Sequence, residues 1–324
     1  MKLMARYLLN AAIFAMILSL PVFAQTGWTI APRTKADTDL NAVYFADEKH
    51  GWTGGDNGFI AWTIDGGLNW TRQFIGTDDT INDVYFRNRE KGYALVGERI
   101  YASADGGQIW REEKIFKSDE FGNAKPELYS IRFADRKSGW LVGSVSENDK
   151  IIDSLVMQTE DGGQTWKRAI VPTKAELIHL DFVNEKRGWI VGANGTILNT
   201  RDGGKTWQKQ SSTNLATLYH VDFANNNLGW AVGDKGLILR TEDGGERWVA
   251  VNSNVTRTLL SVSFSNDKTG FAIGRGGTIL RSEDGGKSWI RQLSPTDNGL
   301  FGLHIDKKFG WAVGGKGILL KYAR

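Results

Sequence analysis

The triplet Asp-Gly-Gly begins at Asp65, Asp105, Asp161, Asp202, Asp243 and Asp284, at intervals of 40, 56, 41, 41 and 41 residues. A fixed period of this size means that one supersecondary unit is copied along the chain, and that each copy buries its apolar face only against its neighbours. Every triplet has Thr or Ser two residues before its Asp and Trp five residues after it, at Trp70, Trp110, Trp166, Trp207, Trp248 and Trp289. A second signature lies upstream of each, at Gly51-Trp52, Gly92-Tyr93, Gly139-Trp140, Gly188-Trp189, Gly229-Trp230 and Gly270-Phe271, and occurs a seventh time at Gly310-Trp311. Of the 13 Trp, 12 fall in these columns or at Trp28, so the aromatic content is architectural.

The fifth repeat shows four short strands: A over 218–223, B over 229–233, C over 237–241 and D over 248–251. Alternating apolar residues mark the strands, and Asn225-Asn226-Asn227, Gly233-Asp234-Lys235-Gly236 and Asp243-Gly244-Gly245 mark the turns between them. The 39 Gly belong to such turns and argue against a helical bundle. Four strands per roughly 41 residues is the arithmetic of a β-propeller blade. The seventh repeat has strands at 300–305, 310–314 and 318–322 and then ends, while Gly27-Trp28-Thr29-Ile30 precedes the first blade as an orphan strand D. Pairing the two ends closes the ring and covers an otherwise open edge. The expected fold is therefore all-β: a seven-bladed propeller of four-stranded blades over residues 25–324, one domain closed by its N-terminal strand.

Residues 1–24 read as an export signal. Lys2 and Arg6 form a basic start, 8–20 is almost wholly apolar, and Val22-Phe23-Ala24 supplies the small residues of a cleavage site. The expected protein is thus periplasmic or secreted, monomeric, and without a stable membrane anchor after cleavage. Lysines and arginines exceed acids by 40 to 37, and removal of Lys2 and Arg6 leaves 38 against 37, too even a balance for a nucleic-acid binder. With no Cys there is no disulfide, no thiol nucleophile and no lipid-modified cysteine.

The pattern Ser/Thr-x-Asp-Gly-Gly-x-x-Trp resembles the Asp-box of sialidases, some glycoside hydrolases and sorting-receptor propellers. Its longer form, Gly188-Trp-Ile-Val-Gly-Ala-Asn-Gly-Thr-Ile-Leu-Asn-Thr-Arg-Asp-Gly-Gly-Lys-Thr-Trp207, resembles the photosystem II stability and assembly factor family, and the resemblance covers residues 27–324. It implies a non-enzymatic lumenal or periplasmic factor that binds an early reaction-centre subunit. Cyanobacterial members are typically lipoproteins, which a chain without Cys departs from.

The six Asp of the turns are expected to accept backbone N–H groups, the Gly pairs to supply positive φ, and each Trp to cover its turn and the neighbouring blade. The alternative class is a carbohydrate-binding or sialidase-like hydrolase, but no Arg-Ile-Pro motif occurs. No phosphate loop, dinucleotide fingerprint or Gly-x-Ser-x-Gly is present, so no cofactor and no catalytic residue are expected. His179 and His220 share one column of strand A in adjacent blades, as hydrogen-bonded channel residues rather than metal ligands, since no third ligand is identifiable.

Strand direction places D-to-A and B-to-C connections on one face. The longest interval carries both its extra lengths there, 7 residues after Trp110 and 8 after Gly139. Arg99, Lys174, Lys235, Arg257, Arg275 and Lys316 lie on the same face, whereas the two insertions are richer in acids. This polarised face is the expected docking surface for a protein partner, suited to an anionic or C-terminal segment, such as an exposed segment of a membrane protein.

Overall fold

The computed structural model describes residues 27–323 except Arg33 and Lys35, so the signal-peptide assignment lies outside the described residues. Seven antiparallel four-stranded sheets are formed, six in plain sequence order. In the seventh, Gly27–Ile30 pairs with Leu319–Ala323 in the register Trp28↔Tyr322 and Thr29↔Lys321. The N-terminal strand thus closes the ring, with the bounds expected from sequence. In the fifth blade, strands A and B are Leu218–Phe223 and Gly229–Gly233, as read from the alternation; C and D each begin one residue later than expected.

Strand A leaves its inner edge unpaired in every blade, and strand B is buried along its whole length in all but blade 3, where its last two residues emerge. The core is a series of clusters between successive blades. One arrangement recurs. The strand-B Trp of one blade stacks on the Phe that ends strand A of the next, at centroid distances of 3.5 Å for Trp52–Phe86, 3.7 Å for Trp140–Phe182 and 3.4 Å for Trp230–Phe264. The Asp-box Trp of that next blade meets the same Phe edge-on, as in Phe264–Trp289 at 5.7 Å and 87°. Stacked and T-shaped contacts both suit the ring quadrupoles, so each Phe is clamped between two indoles. Gly270-Phe271 breaks the column in blade 6, and the last strand A ends in Ile305; there Phe271 packs on Trp28 and Tyr322 of the closing blade instead.

Blade 3 departs from expectation in form. The extra B-to-C residues extend the two strands to Gly139–Glu147 and Lys150–Thr159, joined by a two-residue turn with Asn148 and Asp149 at φ 50° and 61°. Positive φ at both positions is what a type I′ hairpin requires, and Asn and Asp tolerate it. The D-to-A insertion folds as a short 3-10 turn, Ser118–Phe121. Its Phe116 and Ala124 are buried in the same cluster as Val145 of the hairpin, so the two insertions form one buttress.

Candidate functional site

The Asp-box turns use their side chains on themselves. In all six, the Ser or Thr hydroxyl donates to Asp Oδ1 at 2.8–2.9 Å and accepts the N–H of the second Gly at 2.8–2.9 Å. The same Asp oxygen accepts the N–H four residues on, as from Asn69 to Asp65 at 2.9 Å. Together with the Asn69 side chain, this holds the Asp65 carboxyl down to about 2. The backbone then explains the glycines: Gly286 has φ 77°, and a Cβ there would lie 2.1 Å from Trp230 Nε1. That nitrogen donates to the Gly285 carbonyl of the next blade at 3.0 Å, and Trp52 and Trp189 do likewise to Gly106 and Gly244. The turns are therefore the sockets into which the preceding blades lock.

Hydrogen bonds fix which connections share a face. B-to-C turns bond to the residue before strand A of their own blade, as in Asp234 N–H to Thr217 O and Arg275 N–H to Thr258 O, both 3.0 Å. Asp-box turns bond to A-to-B turns at the other end, as in Gly244 N–H to Asn227 O at 2.8 Å. The two faces are as the strand directions require. On the first, Lys174, Lys235, Arg257, Arg275 and Lys316 are all exposed. Lys235, Arg275 and Lys316 occupy the B-to-C turns of three successive blades, and Arg257 lies across from Arg275, donating to Gly276 O at 2.9 Å. Lys174 stands apart, beside a groove with Asp153 and Arg168 on the outer side of blade 3. Arg99 differs from the rest, because its guanidinium contacts Asp79 at 3.1 Å and Glu98 and Glu112 at 3.3 Å.

A cavity of about 410 Å³ opens on this face at the mouth of the central channel. Its collar comes from strand A of every blade: the second residue in six of them, Asn41, Asn82, Ile178, Tyr219, Leu260 and Phe301, and Tyr129, the residue after Leu128, in blade 3, whose strand A begins earlier. Beneath it, Arg132 Nη1 donates to Asp83 at 2.7 Å and Nη2 lies 3.1 Å from His179 Nε2. His179 and His220 face each other as the sequence places them, stacked at 3.6 Å. Among the described residues no set of three or more His, Asp or Glu side chains is gathered as for a metal ion.

Sequence reading missed this channel charge and the role of its acids. Asp83, Asp181 and Asp222 accept the N–H groups of Ile131, Phe223 and Phe264 on the next blade at 3.0, 2.8 and 2.9 Å. Each thereby satisfies a donor on the unpaired inner edge of strand A. The signal was there, as polar residues at inward positions of an otherwise apolar strand.

Desolvation pushes His220 down to about 3 and His304 down to about 4, and raises Asp181 and Asp222. A histidine lowered from 6.5 contributes stability that is complete above 6.5 and lost as pH falls towards its folded value. The raised Asp181 and Asp222 act oppositely, since the folded state takes up their protons first. Arg132 and Asp306 act on His304 with opposite signs, and Tyr44, Phe45 and Phe309 pack around it at 5.5–6.0 Å. His304→Phe keeps the packing and removes the titration. Its loss of stability between pH 7 and pH 5, measured by urea unfolding, is expected to be smaller than that of the parent by about 2 kcal/mol.

A family model described as photosynthesis system II assembly factor YCF48 matches this chain over residues 69–171, 166–256, 212–303 and 246–323. The photosystem II assembly lipoprotein Ycf48 of Synechococcus sp. (strain CC9902) is 28% identical over 132 residues, 40% of this chain and 36% of that relative's own length. A solved YCF48 bound to D1 peptide has a TM-score of 0.74 at 20% identity, over 92% of this chain and 97% of that one. YCF48 from Cyanidioschyzon merolae has a TM-score of 0.72 at 20% identity, over 92% of this chain and 98% of that one. The propeller fold itself is wider, since virginiamycin B lyase from Staphylococcus aureus has a TM-score of 0.75 at 13% identity, over 92% of this chain and 99% of that one. With its family model matched across blades 2 to 7, this chain belongs to the Ycf48 photosystem II assembly factor family.

Proposed function

We propose that this protein is an exported, non-enzymatic factor that holds an exposed segment of a photosystem II protein and so assists assembly or stability of the complex. The segment docks on the face of the B-to-C turns, against Lys235, Arg257, Arg275 and Lys316, with Lys174 and Arg99 towards the acidic buttress of blade 3. The observation that carries this reading is the backbone of two lysines. Lys235 and Lys316 both have φ 57°, the left-handed conformation, at the turn position where blades 1 and 4 have Asn57 and Asn194. A side chain of this kind costs about 1 kcal/mol in that conformation, and such cost concentrates at functional sites. Two cations kept at a position suited to Asn or Gly, with Arg275 between them, fit an anionic partner segment. Family membership supplies the class of partner, and the related YCF48 bound to D1 peptide supplies the first candidate.

The double variant Arg257→Glu with Arg275→Glu is expected to weaken binding of a synthetic D1 peptide at least tenfold, with an unchanged melting temperature. Binding at the parental affinity removes these arginines from the interface. A glycan-array and glycosidase screen on the same protein addresses the carbohydrate alternative.

A further inference from the structure

The floor of the channel cavity has more hydrogen-bond donors than acceptors. Arg132 is a donor at every nitrogen and lies against Asp83 and the Nε2 atom of His179. On the far side of the same imidazole, the Val221 N–H addresses Nδ1 at 3.4 Å. A neutral imidazole has one acceptor nitrogen, so one side of His179 sets its own N–H against a donor. Stacked on it, His220 has a buried Nδ1 with no hydrogen-bond partner. The one carboxylate on the floor of the lining, Asp83, is already used by Arg132 and by the Ile131 N–H. Of the rest of the lining, Glu176 lies at the rim beside Tyr129, whose hydroxyl is 3.1 Å from Ser144 Oγ.

We infer that the channel mouth is a binding site for a carboxylate borne on an apolar or aromatic body, with Arg132, His179 and His220 as its donors. A carboxylate oxygen beside Arg132 Nη2 gives His179 an acceptor at Nε2. The ring then carries its hydrogen there, Nδ1 accepts the Val221 N–H, and both nitrogens are satisfied. The second oxygen takes the His220 N–H. The apolar body rests in the collar of Tyr219, Leu260 and Phe301, and 410 Å³ is room for one residue-sized group. The site is separate from the exposed cations of blades 5–7, so either assignment stands or falls without the other.

The test is calorimetric titration of the whole protein at pH 7 with N-acetyl-L-phenylalanine and, as the neutral isostere, N-acetyl-L-phenylalaninamide. The acid is expected to bind at least tenfold tighter, since a charge-assisted pair is lost in the amide. His220→Phe, which keeps the stack, is expected to lose most of that preference while melting like the parent. The double variant Arg132→Gln with Asp83→Asn removes the ion pair as a unit and is expected to abolish it; if that variant does not fold, His220→Phe decides alone. A ten-residue peptide ending in a free Phe separates the sources. Tighter binding of the peptide than of the small acid assigns the site to a chain terminus, and weaker binding to a free metabolite, both within the stated chemistry. Equal affinities for acid and amide, or full acid preference in His220→Phe, overturn the assignment.

Discussion

Replacing Trp230 by alanine is expected to cost about 3–5 kcal/mol of folding stability, as for other fully buried aromatics. The indole is wholly buried and lies flat on Phe264, at 3.4 Å and 4°. Its removal opens the clamp on a ring that Trp289 holds from the other side. The Gly285 carbonyl keeps one donor, the Arg240 Nε at 2.5 Å, so most of the cost is the cavity rather than an orphaned acceptor. Trp230→Phe keeps the stack and loses the N–H, and is expected to cost about 1 kcal/mol. Urea unfolding of both variants measures the difference. A cost near zero for Trp230→Ala would show that the stack between blades 5 and 6 contributes nothing to the cooperative unit.

Removal of residues 1–30 is expected to abolish the closed monomer. It takes away the partner of Leu319–Ala323 at four register positions, Gly27 to Ile30. It also takes away Trp28, which is 6% exposed and packs on Phe271 and Tyr322 at 5.4 Å. What remains is an open edge next to the apolar Leu319 and Leu320, the arrangement most prone to pairing with another copy. Size-exclusion chromatography is expected to show dimers or larger species, with the thermal transition of the parent lost. A truncated chain that elutes as a monomer and melts like the parent would refute closure by this strand.

Within each blade, nearly everything was legible. The bounds of strand A in blades 5 and 7, the closing strand Gly27–Ile30 and the chemistry of the Asp-box turn all follow from consecutive residues, because alternation and turn preference act over two to six positions. The pairing of His179 with His220 was legible for a related reason, as identical columns of adjacent copies must face each other. The insertions of blade 3 were legible as to face but not as to form. Their length gives no sign that Val145 and Phe116 share a core, or that Asn148 and Asp149 turn a regular hairpin.

Sequence by itself determined the number of blades, the means of closure and the faces on which the turns emerge. The tertiary structure decided which charges are engaged and which are free. Arg99 reads as one more basic residue until Asp79, twenty positions away, and Glu112 come within 3.3 Å of it. Arg132 went unremarked in the sequence, and only in the channel do Asp83 and His179, from the blades on either side, meet it. Turn chemistry is a property of neighbours along the chain. The field in the channel is the sum of side chains one repeat apart, 49 residues for Asp83 and Arg132 and 47 for Arg132 and His179, and only closure of the ring sets the distances between them.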